Sequence, residues 1–250
     1  MNIIKTMNLQ YKVHNLEIIK NINIEINEGD FVSVVGPNGA GKSTLIKLIS
    51  KLINKTSGEI EIKGKNIEKY KRKELSKILA YVPQFINLDY NFTVEEIVLM
   101  GRTPYIGMFF EYTKEDLKIV ENVMKKTGIY ELKDEKIQNL SGGEKQRAII
   151  ARGLAQNAKI LVLDEPISNL DIYMQIEIMK LLEELNEKEK ITIICILHDL
   201  NMALKYTKKS VMLNKGIVVE KGITENVINE KNINNVFNVK VAILNKVINY

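Results

Sequence analysis

FVSVVGPNGAGKSTLIKLI, residues 31–49, decides the architecture. Phe31 to Val35 is a short, mostly apolar run, the pattern of a strand buried on both faces. It leads straight into Gly36-Pro37-Asn38-Gly39-Ala40-Gly41-Lys42-Ser43-Thr44, which matches G-x-x-x-x-G-K-[ST] at every position. Helical spacing follows through Leu45, Leu48, Ile49 and Leu52. The glycines let successive backbone N–H groups turn inward around phosphate oxygens, and the helix start adds free donors and the positive end of a dipole. Lys42 can neutralise the β and γ phosphates of a nucleotide, and Ser43 can hold Mg²⁺. A glycine turn that merely precedes a helix leaves the Lys-Ser pair unexplained.

Upstream of this stretch, Ile18, Ile22, Ile24 and Ile26 are spaced for strands with one buried face, and Asn27 to Asp30 reads as a turn. Downstream, Ser57 to Gly64 alternates Ile with charge, as a half-exposed strand does, and Leu79 to Val82 is another short strand stopped by Pro83. Lys69 to Lys77 is a basic run that reads as a solvated helix face or as a lipid or nucleic-acid contact. From Thr93 to Gly153 the pattern is helical, with Thr93/Glu96 and Thr113/Asp116 as capping pairs and Leu117, Val120 and Met124 at helical spacing. Two buried-strand runs, Ile160 to Leu163 and Ile191 to Leu197, flank an amphipathic helix from about Asp171 to Lys188. Val211 to Leu213 and Ile217 to Val219 read as a hairpin, and the tail from Thr224 as a helix and a last strand. Strands alternating with helices predict a mostly parallel sheet, with the central helical block inserted into it.

Ile160-Leu161-Val162-Leu163-Asp164-Glu165 ends an apolar strand in two carboxylates. Parallel sheets bind ligands at the carboxyl ends of their strands. Asp164 is therefore expected in the Mg²⁺ shell, and Glu165 nearer the terminal phosphate, placed to accept a proton from attacking water. Leu140-Ser141-Gly142-Gly143-Glu144-Lys145-Gln146-Arg147 is a second helix start, with Ser141 and Glu144 at capping-box spacing. Two glycines after a cap cost about 1 kcal/mol each relative to Ala. Approach of a phosphate to bare backbone explains them better. Two anion-binding helix starts with a single place for Mg²⁺ imply one nucleotide gripped by both starts, from different subunits.

The phosphate loop, LSGGEKQR and ILVLDEP, in this order, resemble the nucleotide-binding subunit of ATP-binding cassette (ABC) transporters, over essentially the whole chain. The resemblance implies an α/β P-loop NTPase: a RecA-like, mostly parallel sheet core with an antiparallel β subdomain and an inserted α-helical subdomain. Residues 1–250 form one such unit, 1–86 and 154–250 the core plus β subdomain and 87–153 the helical subdomain. It implies that Tyr11 stacks on adenine, unless it is a plain core or surface tyrosine. Gln84 is the glutamine that contacts Mg²⁺ or water and senses the membrane partner, unless it is an ordinary loop amide. Asp171 lies in the loop that crosses the dimer interface and is also a natural N-cap. His198 touches the γ-phosphate, unless it only caps or faces solvent. Glu144 stands where the commonest signature has Gln, and Ile167 where DEP is usually followed by Thr.

Within the family, Thr93 to Phe110, His198 to Ala203 and the short tail after Gly222 resemble the importers for iron–siderophore, haem and cobalamin. Tyr105 to Tyr112 either fills the helical subdomain's own core or lines a groove that docks a helix of the membrane subunit, with Met108 and Phe109 deciding between them. The implied function is an ATPase that binds ATP and Mg²⁺ and powers such an importer. The implied partners are a second copy, two integral membrane permease subunits and, indirectly, an extracytoplasmic substrate-binding protein, with no nucleic acid expected. A soluble cassette acting in DNA repair or translation is the alternative; one cassette without a heptad run speaks against it. A kinase or GTPase with the same loop leaves Ser141 to Gly143 unexplained.

Composition fits this reading without demanding it. With 45% hydrophobic and 27% charged residues in 250, the chain reads as an ordinary globular protein. The net charge of +5 is a mild excess suited to an anionic ligand. The single cysteine, Cys195, excludes an internal disulfide, and His14 and His198 are too few for a Cys/His zinc site. No apolar run nears the ~20 residues that span a bilayer, and the start of the chain lacks the apolar stretch of a signal peptide. The expected location is the cytoplasmic face of the membrane, on the permease.

Overall fold

The computed structural model describes residues 1–84, 91–106, 111–244 and 247–249. In chain order the elements are strands β1 (Asn2–Val13), β2 (Leu16–Asn27) and β3 (Phe31–Val35), helix α1 (Lys42–Ile49), β4 (Ser57–Ile62), β5 (Lys65–Asn66), α2 (Arg72–Leu75) and β6 (Leu79–Val82). The helical block follows as α3 (Val94–Leu99), α4 (Lys114–Lys126) and α5 (Gly142–Ala155). Then come β7 (Ile160–Leu163), α6 (Ile172–Glu189), β8 (Thr192–Ile196), α7 (Leu200–Tyr206), β9 (Lys209–Asn214) and β10 (Ile217–Ile223). The tail forms α8 (Thr224–Val227), α9 (Glu230–Phe237) and a hairpin of β11 (Ala242–Leu244) and β12 (Val247–Asn249).

Six strands form the central sheet in the order β10-β9-β3-β8-β7-β6, parallel except for the β9–β10 hairpin at one edge. A second, antiparallel sheet runs β2-β1-β4-β5. The pleat divides the core. Phe31, Leu161, Leu163, Ile193 and Cys195 face one apolar cluster with α6, α7 and the tail helices. Val32, Val34, Val162, Ile194 and Ile196 face the other, shared with α1 and the antiparallel sheet. Continuous apolar runs, rather than alternating ones, are what a strand covered on both faces requires.

Some local expectations are corrected. Ile19, not Ile18, faces the core beside Ile22, because extra residues at Asn8 and Asn21, both at positive φ, shift the β1–β2 register. Helix α1 stops at Ile49; Lys51 is left-handed and Leu52 is exposed. The basic run splits into a 3₁₀ turn ending at Lys69 and the four-residue α2. The tail has two short helices and a hairpin where one helix and one strand were expected.

A third cluster binds α3, α4 and α5 through Val94, Val98, Val120, Met124, Ala148 and Ala151. Helix α5 also sends Ile149 and Ile150 into the first cluster, so it belongs to both bodies. The expected boundary between residues 153 and 154 falls inside it, and that between 86 and 87 lies outside the described residues. All three Ser/Thr capping pairs form the expected boxes.

Gly101-Arg102, part of the subfamily pattern, does structural work here. A Cβ on Gly101 would sit 2.1 Å from the carbonyl oxygen of Arg152. Arg102 is buried, donating from Nε to Asp116 Oδ1 at 2.7 Å and from Nη1 to the Ala155 carbonyl at 2.8 Å. Asp116 Oδ2 accepts from the Thr113 amide and hydroxyl. Burial alone would raise the Asp116 pKa; the Thr113 hydrogen bonds and the Arg102 charge outweigh it and hold the carboxyl below its ordinary value. We expect Asp116→Ala to cost about 3–5 kcal/mol in urea unfolding, because it strands a buried guanidinium. The stabilisation from the depressed pKa is complete above the unfolded-chain value and is lost as pH falls through the lower folded one.

Candidate functional site

The phosphate loop joins the carboxyl end of β3 to α1, and its shape follows from glycine. Gly36, Gly39 and Gly41 have φ of +144°, +76° and +99°. A Cβ at Gly36 would lie 2.1 Å from the Leu213 carbonyl oxygen, and one at Gly41 2.9 Å from Ile19 Cδ1. No other residue satisfies both the angle and the space. The loop is pinned from outside: Gly216 N donates to the Ala40 carbonyl at 3.1 Å and Lys20 N to the Gly216 carbonyl at 2.8 Å. Pro37, Asn38 and Gly39 face outward, with Asn38 and Gly39 exposed, while Lys42 is buried and Ser43 and Thr44 are half-buried on the first turn of α1.

Lys42 Nζ donates to the carbonyls of Gly36 and Pro37 at 2.8 and 3.0 Å. Burial lowers its pKa, against the opposing charges of Glu165 and Asp164. Ser43 Oγ donates to Asp164 Oδ1 at 3.1 Å, bringing together two of the three expected Mg²⁺ ligands, Gln84 being the third. Both are hard oxygen donors, one of them anionic, the set that suits Mg²⁺. Asp164 Oδ2 accepts from Tyr81 OH at 3.0 Å. Burial, reinforced by the neighbouring Asp164 charge, pushes the Tyr81 pKa up, so the phenol stays protonated.

Glu165 stands one residue past Asp164 in a left-handed conformation, φ +52°. That angle is unusual for a residue with a side chain and clusters at working sites. Its two oxygens are held from opposite sides, Oε1 at 2.7 Å from His198 Nε2 and Oε2 accepting from Gln84 Nε2. Ser168 Oγ lies 3.4 Å from Gln84 Nε2 and donates to the Glu165 carbonyl at 3.0 Å. Each carboxylate oxygen keeps a second lone pair, so a water can still approach. Ile167, the departure from the family pattern, is buried in the first core cluster.

The structure thus brings Lys42, Ser43, Gln84, Asp164, Glu165 and His198 to one place, where strands β3, β6, β7 and β8 end. Tyr11 is near: it is half-buried in the antiparallel sheet, paired with Ile19, whose side chain abuts Gly41. Ser141, Gly142, Gly143 and Asp171 form a separate group at the starts of α5 and α6. Among the described residues Ser141 Oγ bonds Glu144 alone, donating to Oε2 at 2.7 Å and accepting from the Glu144 amide. The Ser141 hydroxyl and amide, both donating to Oε2, hold the Glu144 carboxyl below its usual pKa and show what Glu does here: it closes the capping box. Asp171 Oδ1 caps α6 through the Met174 amide at 2.9 Å. Gly142 is exposed, but Gly143 is buried, and its Cβ would meet Met174 Sδ at 2.6 Å. The flexible end of Met174 thus packs against Gly143, a contact that stands beside the phosphate approach expected of this glycine.

Sequence reasoning missed Tyr81 and Ser168. Tyr81 pairs with Val162, two residues before Asp164, and only that register puts its hydroxyl on the carboxylate. Tyr105 donates to the Gln156 carbonyl at 3.1 Å, and the Arg102 guanidinium lies 3.9 Å over its ring. Met108 and Phe109 lie outside the described residues.

Comparison with known proteins agrees with this geometry. The ABC transporter family profile matches residues 19–168. The ferric enterobactin transport ATP-binding protein of Escherichia coli (strain K12) is 36% identical over 227 residues, covering 91% of this chain and 84% of that protein. A petrobactin import ATP-binding protein of Bacillus anthracis is 38% identical, covering 90% and 83%. Among solved structures, a metal-chelate type ABC transporter in an inward-facing conformation superposes with a TM-score of 0.86 at 28% identity, covering 99% of this chain and 95% of that one. A dimeric ATP-binding cassette bound to ADP and Pi superposes with a TM-score of 0.77 at 32% identity, covering 89% and 99%. A family match over more than half of the chain, carried by an intact phosphate loop and acidic strand end, settles the assignment: the chain belongs to the ABC transporter family and is an ATP-binding, ATP-hydrolysing cassette of such a transporter.

Proposed function

We propose that this cassette powers import of a metal chelate, an iron(III)–siderophore, haem or cobalamin, by closing on a second copy of itself over two ATP molecules. The observation that carries the mechanism is the pair of hydrogen-bonded carboxylates at the end of β7, with Asp164 turned to Ser43 and Glu165 held between Gln84 and His198. The substrate class is supported by relatives named for ferric enterobactin, petrobactin and cobalamin.

Backbone amides of Gly36 to Thr44 and the Lys42 ammonium would bind the phosphates, and Tyr11 would stack on the adenine. Ser43, Asp164 and Gln84 would hold Mg²⁺, which when bound offsets phosphate charge. Glu165 would orient the attacking water and take its proton, while Gln84 and His198 keep the carboxylate aimed and His198 reaches toward the γ-phosphate. Ser141, Gly142 and Gly143 of the other copy would cover that phosphate, with Asp171 at the same seam. Closure that depends on the γ-phosphate is undone by hydrolysis, and this is how the motion would reach two membrane permease subunits, served in turn by an extracytoplasmic binding protein. No helix among the described residues is long and apolar enough to cross a membrane. A peripheral position on the cytoplasmic face, bound to the permease, fits that role.

The test is reconstitution of the cassette with its permease pair in vesicles. We expect ATP-dependent uptake of an iron(III)–siderophore, haem or cobalamin, and hydrolysis that rises with chelate-loaded binding protein. Hydrolysis stimulated by nucleic acid instead, with no response to the membrane complex, would overturn the reading.

A further inference from the structure

Asp164 is buried at 5% exposure, and its carboxylate has two hydroxyl partners, one on each oxygen. Ser43 takes Oδ1 from the phosphate-loop side. Tyr81 takes Oδ2 from β6, the outermost strand on the other side of β7. The Asp164 backbone is fixed separately, its amide donating to the Val82 carbonyl at 2.9 Å. What remains free in Asp164 is rotation of the carboxylate plane, a torsion with broad, shallow wells. The Tyr81 hydroxyl removes that freedom. The phenol is placed to do so by its ring, which packs half-buried against the second core cluster.

We propose that Tyr81 is a positioning residue for the cation: by donating to Asp164 Oδ2 it holds Oδ1 beside Ser43, presenting two aligned oxygens at the phosphate loop. This rests on the reading of Ser43 and Asp164 as two of the Mg²⁺ ligands. A cation is bound best by oxygens that need no reorientation, and a charge-assisted hydrogen bond from behind supplies that rigidity without competing for Oδ1. The position is also selective for a hydroxyl. Phe fills the same space and would leave a buried carboxylate oxygen one donor short.

The experiment is Mn²⁺ binding, followed by electron paramagnetic resonance, to the full chain loaded with adenosine 5′-(β,γ-imido)triphosphate. Mn²⁺ takes the same oxygen ligands as Mg²⁺. Tyr81→Phe is expected to weaken Mn²⁺ binding about tenfold, the scale of one hydrogen bond to a charged group. Binding of the nucleotide without metal is expected to stay near the parental value, and the thermal midpoint to fall by a few degrees, the cost of the lost donor in a chain of this size. Leu79→Val, on the same strand and facing the same core cluster, controls for packing and is expected to leave the Mn²⁺ affinity unchanged. Ser43→Ala controls for the underlying reading. If Ser43→Ala weakens Mn²⁺ binding and Tyr81→Phe does not, the positioning role is wrong and the metal site stands. If Ser43→Ala has no effect either, the metal site itself is misassigned. Equal losses in Tyr81→Phe and Leu79→Val would mean that packing, not the hydroxyl, matters, and would also overturn the proposal.

Discussion

Glu165→Gln is expected to lower ATP hydrolysis by about 10²–10⁴-fold, the usual reach of a general base, while leaving ATP bound. Gln has almost the same shape as Glu, so the left-handed backbone at φ +52° is undisturbed. What it loses is an oxygen able to take a proton. Lys42 loses one of the two carboxylate charges that favour its ammonium but keeps Asp164 and its loop carbonyls, and the Ser43–Asp164 contact is untouched. ATP then stays intact between two copies, and a dimer accumulates. Gel filtration with ATP and Mg²⁺ checks this: a dimer peak from Glu165→Gln, set against phosphate release from the parent. Only monomer under those conditions would speak against closure driven by the γ-phosphate.

Mixing two inactive variants is expected to restore activity that neither has alone. Lys42→Ala removes the cation from every phosphate loop. Ser141→Arg places a bulky side chain at the start of α5, where Ser141 is exposed and its hydroxyl bonds Glu144. It costs the cap, about 1 kcal/mol, which the α5 contacts with two core clusters can absorb. In a two-fold mixed dimer one site carries both defects and the other carries neither. Random pairing therefore yields up to about a quarter of the parental activity. Phosphate release measured across mixing ratios, peaking near equal proportions, reports this directly. A mixture no more active than the sum of its parts would mean that Ser141 does not act across subunits.

Much of the site was legible because its chemistry is local in sequence. Lys42 and Ser43 are adjacent, Asp164 and Glu165 are adjacent, and each pair follows an apolar strand run long enough to be recognised. The hydrogen bond that joins the pairs spans 121 residues of chain, and the one from Gln84 to Glu165 spans 81. Which oxygen of Asp164 meets Ser43, and that Tyr81 meets the other, depends on the alignment of β6 with β7. Periodicity shows that a strand exists, not its register with a neighbour. The bulges at Asn8 and Asn21 show the same limit: they move the buried face from Ile18 to Ile19, and no alternation rule foresees an inserted residue.

By itself, then, the sequence determined the strand–loop–helix phosphate cradle, the acidic strand end, the capped Ser141 start and the alternation that yields a parallel sheet, because all of these follow from residues within a turn or two of one another. Tertiary structure alone decided that Met174 occupies the space at Gly143, that Arg102 and Asp116 tie the helical block to the end of α5, and that Glu165 is clamped between Gln84 and His198. Those contacts join elements far apart in the chain, and only the packing of sheet against helix brings them within hydrogen-bonding reach.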